Sequence, residues 1–270
     1  MIERRLPFPV STLAVALAAA LFPQPAMTAD CPDSNGVRTC TLQGEYSASL
    51  EAFWAGMPVP PTDFSSTATI TVTPSPSTQG GLSVAVQGSN GNSSRLTGGD
   101  TQGLTLTNSG AITLRSGSPV ALSGEFYGLS ARQQGGDAVS HNSDGGNGGV
   151  AGQHPGQIVS VSNQGDITVD LRGSTLMHGN GAALSAVSQG GRGAVASNGE
   201  GGAGGQAVGA KVTNTGNITA VLGGAGRFAA IQAVSHGGAG ADDSRGNGND
   251  GGSIPVSRRP SRLRTRAFRL

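Results

Sequence analysis

The sequence predicts an all-β protein whose repeated units stack as the coils of a parallel β-helix. Two observations carry this. Short runs alternate apolar and polar residues with a period of two, as in Leu104 and Leu106 against Thr105 and Thr107, or Val159 and Val161 against Ser160 and Ser162. The same unit then recurs three times in one order. Composition agrees: 46 of 270 residues are Gly and only 12% are charged, which suits tight turns around a thin core.

The first block of the unit reads LTLTNSGAITL from Leu104, VSVSNQGDITV from Val159 and AKVTNTGNITA from Ala210. Its Asn residues, Asn108, Asn163 and Asn214, are spaced 55 and 51 apart. Each is followed two residues later by a Gly: Gly110, Gly165 and Gly216. Asn and Gly both tolerate positive φ, so this pair is expected to bend the chain. Ile112 and Leu114 keep the parity of Leu106, so the turn reorients the strand without changing its inward face. Taken alone, one copy could also be a hairpin.

Three copies favour stacking. A strand with two or three apolar residues cannot bury itself. Laid over its copy, it gains a ladder of backbone hydrogen bonds about 4.8 Å away and extends an apolar core. The three Asn side chains could then form an amide column inside the turn. A second block follows each first one: GLSARQQGGDA from Gly128, ALSAVSQGGRGA from Ala183 and AIQAVSHGGAGA from Ala230. A Gly-rich run closes each unit. These runs are expected to protrude as loops. Units of 55 and 51 residues exceed one ordinary coil, so each is expected to supply two coils.

Four segments follow. Residues 1–29 read as a signal peptide: Arg4 and Arg5 precede the apolar run Leu13 to Phe22, too short to span a bilayer, and cleavage is expected after Ala29. Asp30 before Cys31 excludes lipid attachment there. Residues 30–99 read as an N-terminal cap with the first coils, where Phe53 and Trp54 supply cap packing. Residues 100–252 are the Gly-rich repeats. Residues 253–270 break the pattern with six Arg and no acid, and read as a disordered or frameshifted tail.

Between Asp30 and Ser257 acids outnumber bases 15 to 9, so the body offers no basic surface and no nucleic-acid partner is expected. Cys31 and Cys40 are the only cysteines, close to the expected mature N-terminus. An oxidising compartment makes them a disulfide candidate.

Catalytic motifs are missing: no G-x-S-x-G, H-E-x-x-H or G-x-x-x-x-G-K-[ST] occurs. His141, His154, His178 and His236 share no ligand spacing. GGAGAD (Gly237 to Asp242) fits part of a calcium-binding nonapeptide, but only once. Asp166 and Asp170 have Ala111 with Asn217, and Arg115 with Val221, as repeat counterparts, so stacking builds no carboxylate cluster. No catalytic, metal or cofactor site is expected, and the chain is not expected to be an enzyme.

The unit around Val161 to Gly205 resembles the Gly-rich repeats of passenger domains in bacterial type V autotransporters. The resemblance covers Leu104 to Gly252. It implies a right-handed β-helix displayed on a Gram-negative cell, and a C-terminal outer-membrane β-barrel as translocator. Nothing after Gly252 supplies such strands, so the chain as written is expected to reach the periplasm by the Sec route. A surface-display fragment with an adhesive or structural role is the expectation, its ligand a host or neighbouring cell or a glycan. Two alternatives stay open: a β-helical polysaccharide hydrolase or lyase, which needs stacked carboxylates, and a Ca²⁺-binding secreted repeat protein.

Overall fold

The computed structural model describes residues 31–56, 59–76, 80–123, 125–141, 144–152, 156–172, 174–177, 180–196, 201–222, 227–241 and 251–252. The expected signal peptide, the Arg-rich tail, His154, His178 and Asp242 lie outside these residues. Among the described residues the secondary structure is β, without a helix.

Three parallel sheets carry the fold. Sheet A contains Val37–Leu42, Thr62–Ser66, Leu104–Asn108, Val159–Asn163 and Ala210–Asn214 in that spatial order. Sheet B contains Glu45–Tyr46, Thr69–Val72, Ile112–Arg115, Ile167–Leu171 and Ile218–Leu222. Sheet C contains Leu50–Gly56, Gly80–Gly88, Phe126–Gln134, Asn180–Gln189 and Arg227–His236. The chain visits A, B and C in turn and then begins again, so five rungs of three strands stack. Strands of neighbouring rungs pair directly: Asn163 sits opposite Asn108 on one side and Asn214 on the other.

This register corrects the expected two coils per unit. One unit advances the stack by a single rung in all three sheets. The surplus length sits in the Gly-rich run instead. The first rungs, residues 31–99, also belong to the same sheets and are not a separate layer.

Alternation decides which side chains point inward. Leu104 and Leu106 in sheet A, Ile112 and Leu114 in sheet B, and Leu82, Leu129 and Leu184 in sheet C are buried in one apolar cluster. Each rung contributes only a few such residues, and Cys40 and Leu42 of the first rung are as fully buried as those of the inner rungs. Gly81 and Gly128 mark a tight corner at the start of sheet C. A Cβ on Gly81 would lie 2.6 Å from the Ile112 side chain and 2.6 Å from the Gly128 carbonyl.

The first rung is covered at its sheet A strand, while Glu45–Tyr46 and Leu50–Gly56 are edge strands of their sheets. Asp33–Ser34 folds back antiparallel on Val37–Leu42, and a disulfide joins Cys31 to Cys40. Arg38 forms an ion pair with Asp33 at 2.9 Å and lies 5.5 Å from the Trp54 ring centroid. Trp54 packs on Phe64 with centroids 6.3 Å apart. Phe53 departs from the expected cap packing, because its side of the strand faces solvent and half of it is exposed.

Candidate functional site: the repeat column, the glycine lattice and the hydroxyl face

The Asn residues of the unit form one continuous column. Asn108 Nδ2 donates to Asn163 Oδ1 at 2.8 Å, and Asn163 Nδ2 donates to Asn214 Oδ1 at 2.8 Å. Each amide also donates to the carbonyl two residues on, at Gly110, Gly165 and Gly216. The corner between sheets A and B is thus held within a rung and between rungs by one side chain. Asn suits this role because its amide carries two donors and an acceptor in one plane.

The accompanying Gly residues are needed for a different reason from the expected one. The positive φ values fall at Asn35, Gly36, Gly44, Gly80, Gly103, Gly152 and Gly209, not in the Asn-x-Gly turns. A Cβ on Gly165 would stand 1.9 Å from the Gly110 carbonyl oxygen, and one on Gly216 would stand 2.1 Å from that of Gly165. Close approach of successive backbones, not left-handed torsion, selects Gly here.

The Gly-rich runs are likewise not simple protruding loops. Each leaves sheet C in an outgoing limb and comes back toward sheet A in a return limb. The limbs interleave in one zigzag of backbone hydrogen bonds. Gly99 donates to Ser89, Gly136 to Gly99, Gly149 to Gly136, Gly191 to Gly149, Gly205 to Gly191, Gly238 to Gly205 and Gly252 to Gly238, all at 2.7–2.9 Å. Gly98, Gly99, Gly135, Gly136, Gly148, Gly149, Gly190, Gly191 and Gly205 are buried.

Donor directions reveal the local conformation. In the outgoing limb of the third rung, Gly135 and Ala138 donate to Gln189 and Arg192 of the next outgoing limb. Gly136 and Val139 donate to Gly99 and Leu96 of the preceding return limb. Asp137 donates to the side-chain oxygen of Asn90 in the preceding outgoing limb. The return limb repeats the scheme: Gly148 and Ala151 go to the next return limb, Gly146 and Gly149 to their own outgoing limb, and Val150 to Asp100 Oδ1. Donors that turn through three directions every three residues, with none satisfied inside the limb, define a polyproline II backbone. Neighbours on every side leave no room for side chains. A Cβ on Gly136 would lie 2.1 Å from the Ser89 carbonyl oxygen.

Side chains complete this lattice where a backbone acceptor is lacking. Asn90, Asp100, Asp137 and Asn147 accept from Asp137, Val150, Arg192 and Ala203. The sequence signal for two of them is Gly-Gly-Asp, at residues 98–100 and 135–137.

Outward positions of sheets A and B carry hydroxyls in register. Thr41, Ser65, Thr107, Ser162 and Thr213 form one row, and Thr71, Thr113, Thr168 and Thr219 another. All are exposed or half-buried. This face offers neutral donors and acceptors at the strand spacing.

Asp63 and Lys211 stand at exposed outward positions of sheet A, whereas the carboxylates Asp166 and Asp170 are engaged. Asp166 Oδ1 accepts from Asn217, and Asp170 takes two hydrogen bonds from Arg172 and lies 3.7 Å from Arg115. The Arg172 hydrogen bonds, aided by the guanidinium charge, hold the Asp170 carboxyl below its usual range. Tyr127 is pushed the other way, above the ordinary phenol range, by burial and by the charge of Glu125. Among the described residues no three His, Cys, Asp or Glu side chains come together to hold a metal ion, and no helix is long and apolar enough to cross a membrane.

The class of molecule is therefore an all-β chain of stacked parallel strands with a repeating interior. The chain matches no protein-family description, no curated protein and no solved structure.

Proposed function

We propose that this chain is a right-handed parallel β-helix of the autotransporter passenger kind, exported and displayed at a cell surface in an adhesive or structural role. The observation that carries this reading is the uniform interior. One Asn column runs through the last three rungs and one glycine lattice through the last four, so the outer hydroxyl rows can vary without disturbing the stack. Parallel strands joined by connections that wrap around a core favour the right hand. The disulfide beside the first rung suits an oxidising compartment outside the cytoplasm. Asp166 accepts from Asn217, and Asp170 is held by Arg172 and Arg115.

The test is expression of the full chain in a Gram-negative host, followed by fractionation and N-terminal sequencing. The reading expects a periplasmic or surface-associated, oxidised product beginning at Asp30. An uncleaved, reduced product in the cytoplasm would overturn it. For the adhesive role, the purified protein is applied to immobilised glycans and to cells. Binding weakened by T107K and S162K on the hydroxyl face supports adhesion, and unchanged binding removes that face from it.

A further inference from the structure

An asparagine followed by glycine is a reactive pair. The glycine amide nitrogen attacks the asparagine Cγ, a five-membered succinimide closes and ammonia leaves. Water then opens the ring at either carbonyl. One opening gives aspartate; the other gives isoaspartate, with the backbone rerouted through the side chain. Glycine permits the attack because no Cβ shields its nitrogen. Water is the one co-reactant. Four such pairs fall among the described residues: Asn35-Gly36, Asn90-Gly91, Asn147-Gly148 and Asn180-Gly181.

The fold protects three of them. Gly91 N donates to the Asp137 carbonyl at 2.8 Å, and Gly148 N to that of Ala203 at 2.9 Å. Their asparagine side chains are pinned as well. Asn90 Oδ1 accepts from Asp137 N at 3.0 Å, and Asn147 Oδ1 from Ala203 N at 2.9 Å. Both pairs are thus locked into the glycine lattice. Gly181 is buried inside sheet C, in register with Phe126 and Phe228. Asn35-Gly36 is held differently. The two residues form the whole turn between Asp33–Ser34 and Val37–Leu42, with Asn35 at φ 53° and Gly36 at φ 75°. The hydrogen bond that closes such a turn runs between its flanking residues, here Ser34 and Val37, and leaves the Gly36 amide out. Neither that amide nor the Asn35 side chain has a partner among the described residues, and both residues are exposed. The hairpin is two pairs long, Asp33 with Arg38 and Ser34 with Val37. So short a ribbon opens locally at little cost, which frees Asn35 to turn its Cγ onto the Gly36 nitrogen.

We propose that Asn35 is a site of spontaneous deamidation, converting to aspartate and isoaspartate as the chain ages, and that the change loosens the hairpin over the first strand of sheet A. Two effects act together. The new carboxylate stands two residues from Asp33 and competes with it for Arg38. The isoaspartyl form adds a methylene to the backbone of a turn whose length sets the hairpin register. The Cys31–Cys40 disulfide keeps the segment tethered, so the loosening is local. The proposal is independent of where the chain is displayed.

The experiment holds the oxidised full chain in mildly alkaline buffer and samples it over time. Peptide mapping by mass spectrometry follows each Asn-Gly pair, and isoaspartyl methyltransferase labelling counts the rerouted product. Asn35 should convert at least about tenfold faster than Asn90 and Asn147, the factor that one or two protecting hydrogen bonds are worth. Isoaspartate should be the larger share. Asp33→Ala, which removes the ion pair with Arg38, should speed the conversion. Amide exchange at Thr39 should quicken in the aged protein and keep its fresh rate in aged Asn35→Gly, a substitution the turn accepts. Conversion of Asn90 or Asn147 as fast as Asn35 would overturn the proposal. So would an intact Asn35 in the folded protein after a free peptide of residues 31–40 has converted. Unchanged exchange at Thr39 in a fully converted sample would overturn the loosening.

Discussion

The amide of Asn108 donates to the side-chain oxygen of Asn163 across 55 residues of sequence and 2.8 Å of space. That single bond ties the length of the unit to the height of one rung. It also helps a weakly apolar chain to stack: the fourth and fifth rungs each add a set of backbone pairs and one shared amide to the rung before them.

Removing the middle of the column should be costly. Asn163→Ala strands the Asn108 donor, the Gly165 carbonyl and the Asn214 oxygen at once. Each group left unpaired in a buried corner costs about 1–3 kcal/mol. Urea denaturation should show a loss of that order or more, whereas Asn214→Ala at the open end should lose less. Equal losses at both positions would remove the column from the stability of the fold.

Glycines of the lattice should be intolerant of even one methyl group. Gly136→Ala places a Cβ against the Ser89 carbonyl, which is backbone and has to move. A penalty of about 1–3 kcal/mol follows from overpacking. Gly117→Ala is the control, because nothing lies within 4 Å of its Cβ position. Thermal melts should separate the two variants, and amide exchange at Gly149 and Gly191 should quicken only in the first.

Acid should loosen sheet B through Asp170. Its folded-state value is depressed, mainly by the Arg172 hydrogen bonds. Its contribution to stability is therefore present above the ordinary carboxylate range and is lost as pH falls through the depressed value. Arg172→Ala should move the Asp170 carboxyl back toward its usual value in an NMR titration. No movement would mean that Arg115 and the local backbone suffice.

The disulfide closes a short loop, and in the chain-entropy account removes about 2–3 kcal/mol worth of freedom from the unfolded chain. Cys31→Ser should cost stability of that order and fray the first rung before the others. Hydrogen exchange localises the effect: Thr39, whose amide donates to Pro32, should lose protection while Thr107 keeps it.

The interior was largely legible in the sequence, because alternation and repeat spacing act in the same place. Leu106 and Ile112 kept one parity through the turn, and Asn108, Asn163 and Asn214 kept one offset. Coil count was not legible, since 55 residues can close one long circuit or two short ones, and only the pairing of Asn163 with Asn108 decides. The glycine lattice escaped for a physical reason. A polyproline II backbone has no side-chain period of its own, and its partners are other limbs, so Gly136 and Gly149 look like loop residues until Gly99 and Gly191 are placed beside them. Asn90, Asp100, Asp137 and Asn147 were invisible for the same reason.

The central claim, that one unit builds one rung, has a direct test in a pair of cysteines. Thr107 and Ser162 are register partners on the outer side of sheet A. Neighbouring strands lie about 4.8 Å apart, within the Cα separation a disulfide spans. Thr107→Cys with Ser162→Cys should therefore cross-link rapidly on mild oxidation, while Thr105→Cys with Ser162→Cys, two residues out of register, should not. With two coils per unit the first pair would be separated by about 9–10 Å, twice the strand spacing. Failure of that pair to cross-link in the folded protein would contradict the account.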